Sequence, residues 1–299
     1  MKKSVSLLLA GLMLCGALAG CGGNNNTAEN TDSQTEQTSE STGMSGAIHV
    51  VSREDGSGTR GAFVELTGVE DDNGDNTTVE AEIANRTDAV LTTVAGNEAA
   101  IGYVSLGSLN DTVKAVTVDG VEATVDNVKS GTYTLSRPFN IATKGEPTGV
   151  AADFIGFIMS ADGQAIVEEE GYIKVNDAAE AFTSDGSSGQ ITVGGSSSVS
   201  PVMEKLIEAY KAVNPNAQID LQTSDSTSGM TGAMDGTFAI GMASRELHDD
   251  EAGQLTAQAI AMDGIAVIVN PANTVDNLTM DQIRSIYVGE TTDWSEVAE

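Results

Sequence analysis

From residue 47 onward the chain alternates short apolar runs with segments whose apolar residues recur every three or four positions. The runs 47–52 (AIHVVS), 100–106 (AIGYVSL), 139–145 (FNIATKG), 191–195 (ITVGG), 217–222 (AQIDLQ), 238–244 (FAIGMAS) and 264–270 (GIAVIVN) are rich in β-branched residues and flanked by turn formers, which predicts strands. Between them, 201–213 places Val202, Met203, Leu206, Ile207, Tyr210 and Val213 at helical spacing. The same period puts Val150, Phe154, Phe157 and Ile158 on one face of 150–160, and Ile283, Ile286 and Tyr287 on one face of 280–289. Such alternation predicts an α/β fold with mostly buried strands. A polar stretch, 176–190, separates two halves and reads as a surface connection.

The first 21 residues differ: two lysines precede an apolar, Gly/Ala-rich run too short for a comfortable membrane span, the pattern of an export signal. Its end, Leu18-Ala19-Gly20-Cys21, resembles the lipobox at which bacterial lipoproteins are cut and then acylated on the cysteine. Cys15 would be removed and Cys21 would carry lipid, leaving no thiol for a disulfide, a zinc-thiolate site or a nucleophile. Residues 22–45 are polar and low in complexity, and are expected to tether the folded part to the membrane surface.

Charge narrows the function. With 44 Asp and Glu against 14 Lys and Arg, a net charge of −30 and 4% aromatics, the chain has no basic patch for a phosphate backbone, so nucleic acid is excluded as a partner. Against that background the loop SREDGSGTRGAF (52–63) stands out as built to hold something negative. It is one of three Gly/Ser/Thr clusters placed where a helix should begin. The others are Gly194 to Ser198, leading to Ser200 as N-cap and Pro201, and Ser224 to Gly229. First-turn amides lack intrahelical partners and carry roughly half a positive charge, so they attract an anion, while small residues let it come close. Arg53 adds a planar fork of donors suited to a tetrahedral oxyanion, with Glu54 and Asp55 able to orient it. Repulsion from distant carboxylates is screened beyond about 8 Å at physiological salt.

Catalytic signatures are missing. His49 falls in a strand-like run and His248 in a charged segment. There is no G-x-S-x-G elbow, no phosphate loop ending in Gly-Lys-Ser/Thr and no zinc-spaced histidine pair, and the acidic run 70–76 lacks calcium-loop spacing. The expectation is a binding protein without catalytic residues, cofactor or metal.

The segments ITVGGSSSVSPVMEKLIEAY, STSGM, FAIGMASREL, DGIAVIVNP, LTMDQIRSIYVGETTDWSEV, VVSREDGSGTRGAF, IGYVSLGSL and LSRPFNIATKG resemble the phosphate-binding lipoproteins of bacterial ABC phosphate importers. The resemblance covers nearly everything from about residue 47. In the usual family order the GSSSVSP half comes first and WSEV leads into VVSREDGSGTR. Here the chain starts and ends at that junction, so it resembles a circular permutant, a rearrangement that compact domains with neighbouring termini tolerate.

The resemblance implies a type II periplasmic-binding-protein fold, two α/β lobes joined by two crossing strands around a ligand cleft. Residues 136–268 would form one lobe, and 46–135 with 269–299 the other, with crossings near SRPFNIAT and AVIVNP. It implies that Arg53, Ser57, Gly58 and Thr59 hold phosphate from one lobe, and Ser197, the backbone of Ser198, Ser226 and Thr227 from the other. It further implies delivery of inorganic phosphate by a lipid-anchored monomer to ABC transporter permease subunits. One position departs from the family. Where well-known members have an aspartate that accepts the hydrogen of protonated phosphate, this chain has Ser244, followed by Arg245. Sulfate has no such hydrogen, while a serine can donate or accept, so Ser244 is still expected among the phosphate contacts; sulfate or another tetrahedral oxyanion stays open as ligand, with Asp225 or Asp55 as other acceptors. A phosphate-ester hydrolase is the remaining alternative.

Overall fold

The computed structural model describes residues 44–297; the expected signal segment, Cys21 and nearly all of the tether lie outside the described residues. Eight strands of three residues or more and nine α-helices alternate through them. In order these are β1 (His49–Arg53), α1 (Gly58–Thr67), β2 (Glu82–Ala84), α2 (Thr87–Gly96), β3 (Ala100–Ser105), α3 (Val125–Lys129), β4 (Ser136–Thr143), α4 (Val150–Met159) and α5 (Ala161–Glu169). There follow β5 (Gly189–Ser196), α6 (Ser200–Val213), β6 (Ala217–Ser224), α7 (Ser226–Asp235), β7 (Ile240–Ala243), α8 (Asp249–Ala252), β8 (Thr256–Val269) and α9 (Met280–Tyr287).

The eight strands pair in the order β6-β5-β7-β4-β8-β3-β1-β2. Strand β8 makes the path continuous: its first part, Thr256 to Gly264, lies antiparallel to β4, and its second, Ile265 to Val269, lies antiparallel to β3. On one side of this crossing β5 runs parallel to β6 and β7; on the other β1 runs parallel to β3 and β2. Parallel strands need covered faces, and four apolar clusters provide them, two of them large. One gathers Phe63, Tyr103, Tyr287 and Trp294, the other Phe139, Phe154, Phe157, Leu206 and Tyr210. This is the α/β architecture with buried strands that the apolar pattern implied.

At the crossing, Arg137 and Asp263 sit opposite each other in the β4–β8 ladder and form a buried ion pair, Nη2 to Oδ2 3.0 Å. Burial pushes the Asp263 carboxyl up to about 6, against the pull of Arg137.

Two sequence expectations need correction. Strand β8 begins at Thr256, eight residues before the expected 264; its Ala, Gln and Met residues are weak strand formers that pairing with β4 holds extended. Ser200 is the first residue of α6 and not its N-cap, because its hydroxyl bonds back to the Ser196 carbonyl at 3.1 Å while Val199 takes the cap position. The stretch 176–190 does run over the surface but is pinned. Asp153 accepts from the Ser184 hydroxyl and the Asp185 amide at 2.7 and 2.9 Å, and Phe182 meets Phe157 edge-on at 5.3 Å.

Candidate functional site

The site is assembled from strand ends and helix starts. Strand β1 delivers Ser52 and Arg53 to its C-terminal end. Tyr103, stacked on Phe63 at 3.9 Å, fixes both, its hydroxyl lying 2.9 Å from Ser52 Oγ and accepting from the Arg53 amide at 3.3 Å. The chain then turns through 54–57 into α1, where Ser57 caps the helix by accepting from the Arg60 amide at 3.4 Å. From the other part of the sheet, β5 ends at Ser196 and leads through Ser197 and Ser198 into α6. Strand β6 leads to α7, capped by Asp225, which accepts from the Ser228 amide at 2.8 Å.

These ends meet. Arg53 Nη2 donates to Ser197 Oγ at 3.2 Å, Thr59 Oγ1 lies 2.8 Å from Ser198 Oγ, and the Thr227 amide donates to the Gly56 carbonyl at 3.2 Å. The approach is so close that glycine is required: a Cβ on Gly58 would run into Ser226 Oγ and lie 2.9 Å from Ser244 Oγ, and one on Gly56 would strike the Asp225 carboxylate. Arg53, Ser57, Thr59, Ser197, Ser198, Ser226 and Ser244 are all buried.

The electrostatics suit an anion held by hydrogen bonds more than by net charge. Glu54 grips Arg53 through Nε and Nη2 at 2.8 and 2.7 Å, which orients the guanidinium. Asp55 is not part of this grip; its exposed carboxylate pairs with Arg60 at 2.6 Å. Across the cleft, Arg245 is held by both oxygens of Glu251 at 2.7 and 2.8 Å and donates to Thr227 Oγ1 at 3.3 Å. Burial works against ionisation of Glu251, yet the hydrogen bonds from Arg245 and the His248 amide hold its carboxyl below the ordinary value of 4.5. What remains is a ring of hydroxyls and helix-start amides around one oriented guanidinium, the kind of donor set that binds an oxyanion.

The structure therefore brings together Arg53, Gly58, Thr59, Ser197, Ser198, Ser226 and Ser244. Ser57 and Thr227 sit at the edge of the group: the Ser57 oxygen caps α1, and the exposed Thr227 turns its hydroxyl to Arg245. Ser244 lies beneath Ser226, its amide donating to Ser226 Oγ at 3.0 Å and its oxygen accepting from Ser196 Oγ at 2.9 Å. Neither suggested substitute acceptor faces the group. Asp225 is occupied with its own helix through the Ser228 amide and hydroxyl, and Asp55 with Arg60. Two residues escape sequence reasoning, Ser196 and Thr87. Thr87 Oγ1 lies 3.3 Å from both Ser197 Oγ and Ser198 Oγ. Ser196 belongs to a cluster already suspicious for its small residues; Asn85-Arg86-Thr87-Asp88 looks like any polar helix start. Among the described residues no group of three or more His, Cys, Asp or Glu could hold a metal ion.

A sequence profile described as a PBP superfamily domain matches residues 19–162 and 180–299. Phosphate-binding protein PstS 2 of Streptococcus agalactiae is 47% identical, the alignment covering 99% of each chain. The protein of that name from Streptococcus pneumoniae is 43% identical, again over 99% of both. The crystal structure of a phosphate ABC transporter phosphate-binding protein from Streptococcus pneumoniae superposes with a TM-score of 0.69 at 46% identity, covering 84% of this chain and 100% of that one. The streptococcal alignments run through both chains end to end, so the segment order found here is also theirs.

Proposed function

The chain belongs to the PBP superfamily and, within it, to the PstS-like phosphate-binding proteins, and on that footing we propose that it captures inorganic phosphate outside the cytoplasm for an ABC phosphate transporter. The observation that carries this reading is the meeting of Arg53 and Thr59 from one side with Ser197 and Ser198 from the other. Contacts contributed from both sides are what allow a ligand to favour closure, since a ligand shifts an equilibrium only by its differential affinity for the two states. Arg53, Ser57, Gly58 and Thr59 hold the anion from the part formed by 46–135 and 269–299, and Ser197, Ser198, Ser226 and Thr227 from 136–268. A monomer, anchored through lipid on Cys21, then presents the closed form to the permease subunits.

A second reading, sulfate or another tetrahedral oxyanion, is favoured by one observation. The Glu54 carboxylate beside the group is committed to Arg53, and the resemblance puts Ser244 where well-known members have an aspartate. Equilibrium dialysis with labelled phosphate tests the first reading: one ion retained per chain, displaced weakly by sulfate, is expected, and no retention would refute it. Incubation with a phosphate ester distinguishes a carrier from a hydrolase, since only a hydrolase would release phosphate with turnover.

A further inference from the structure

Helix α2 enters the hydroxyl group through Thr87, its first residue, which is buried although its neighbours Arg86 and Asp88 are exposed. Besides its 3.3 Å contacts to Ser197 and Ser198, Thr87 Oγ1 accepts from Arg53 Nη1 at 3.5 Å. One hydroxyl thus touches three side chains of the group. The two hydroxyl contacts are long beside the usual ~2.7–2.8 Å of an O–H···O bond, roughly what Thr59 and Ser198 achieve nearby, and the guanidinium contact is long beside the ~2.9–3.0 Å of an N–H···O bond. A threonine hydroxyl has one hydrogen and two acceptor lone pairs, and here none is tightly committed.

The surroundings point the same way. Helices α1 and α7 spend first-turn amides on their own caps, Ser57 and Asp225, whereas Arg86 makes no side-chain cap on α2. A cavity of about 300 Å³, lined in part by Thr87, Ser197, Ser200 and Arg86, opens at this point. Ser244, by contrast, has its oxygen engaged by Ser196 and Ser226.

We propose that Thr87 is a ligand of the bound oxyanion and supplies the acceptor for the hydrogen of protonated phosphate, the task that Ser244, one layer below, does not perform. The assignment rests on the phosphate-binding reading and deepens it. A carboxylate acceptor would reject sulfate by leaving its own charge unpaired. A hydroxyl has no charge to leave unpaired, so Thr87 favours phosphate through the one hydrogen bond that sulfate has no hydrogen to make, without barring sulfate.

Thr87→Val, which keeps the shape and removes the hydroxyl, tests this by calorimetric titration of the full chain with inorganic phosphate and with sulfate at neutral pH. Phosphate binding should weaken at least tenfold and the phosphate-to-sulfate ratio should fall at least fivefold, while Thr87→Ser keeps both within about threefold of wild type. Unchanged phosphate affinity, or equal losses for both anions, would overturn the assignment while leaving phosphate binding itself standing. Failure of the wild-type chain to bind either anion would instead strike the reading beneath it, and the assignment with it.

Discussion

Arg53 Nη2 donates to Ser197 Oγ at 3.2 Å across 144 positions of sequence, so an arginine at the end of β1 bonds the turn that starts α6. Because Glu54 holds Nε and this same Nη2 of the guanidinium, the fork can turn only a little. Charge-assisted hydrogen bonds contribute about 1.5–3 kcal/mol each, a neutral one nearer 1 kcal/mol. Arg53→Ala should therefore weaken phosphate binding at least tenfold. Ser197→Ala should cost less, about two- to tenfold. Calorimetric titration of the two variants checks the order, and equal losses would contradict it.

Gly58 separates binding from folding. At the first position of α1, alanine is a better helix former than glycine by about 0.5–1 kcal/mol. Its Cβ would nevertheless collide with Ser226 Oγ on the facing side. Gly58→Ala should leave the thermal midpoint of the unliganded chain unchanged or slightly raised and abolish most of the shift that added phosphate produces. A full ligand-induced shift would show that the two sides do not approach as described.

The Arg137–Asp263 pair at the crossing is fully buried. Breaking such a pair from one side leaves an uncompensated charge and typically costs about 3–5 kcal/mol, whereas replacing both partners with apolar residues is often neutral. Arg137→Met alone should lower the urea midpoint strongly, and Arg137→Met with Asp263→Leu should regain most of the loss. Additive losses would mean the pair is not coupled.

The Glu251 carboxyl, held below its ordinary value of 4.5 by Arg245, gives a pH signature. A lowered folded-state value means the pair's stabilisation is present above the unfolded value and is lost as pH falls through the folded one. Glu251→Gln should thus be less stable than wild type at neutral pH, with a smaller gap at a pH well below the ordinary value of 4.5. Urea unfolding at the two pH values checks this; a gap of constant size would refute it.

Much of the site was legible because its chemistry is local. Ser57-Gly58-Thr59 and Ser197-Ser198 announce themselves as small polar turns ahead of apolar periods, and such turns are where helix amides lie open. Convergence was not legible. That Thr59 meets Ser198 depends on β8 threading both halves of the sheet, and the first half of β8, TAQAIAMD, has no strand signature of its own. Thr87 was missed for the same reason: its role comes from the neighbours the fold gives it, and not from the residues beside it in the chain.

The most direct test is titration of wild-type protein, freed of carried-over ligand, with inorganic phosphate at neutral pH, with sulfate as the competitor. One phosphate bound per chain, in preference to sulfate and lost on Arg53→Ala, is the predicted result. No saturable phosphate binding, or binding indifferent to Arg53, would contradict it.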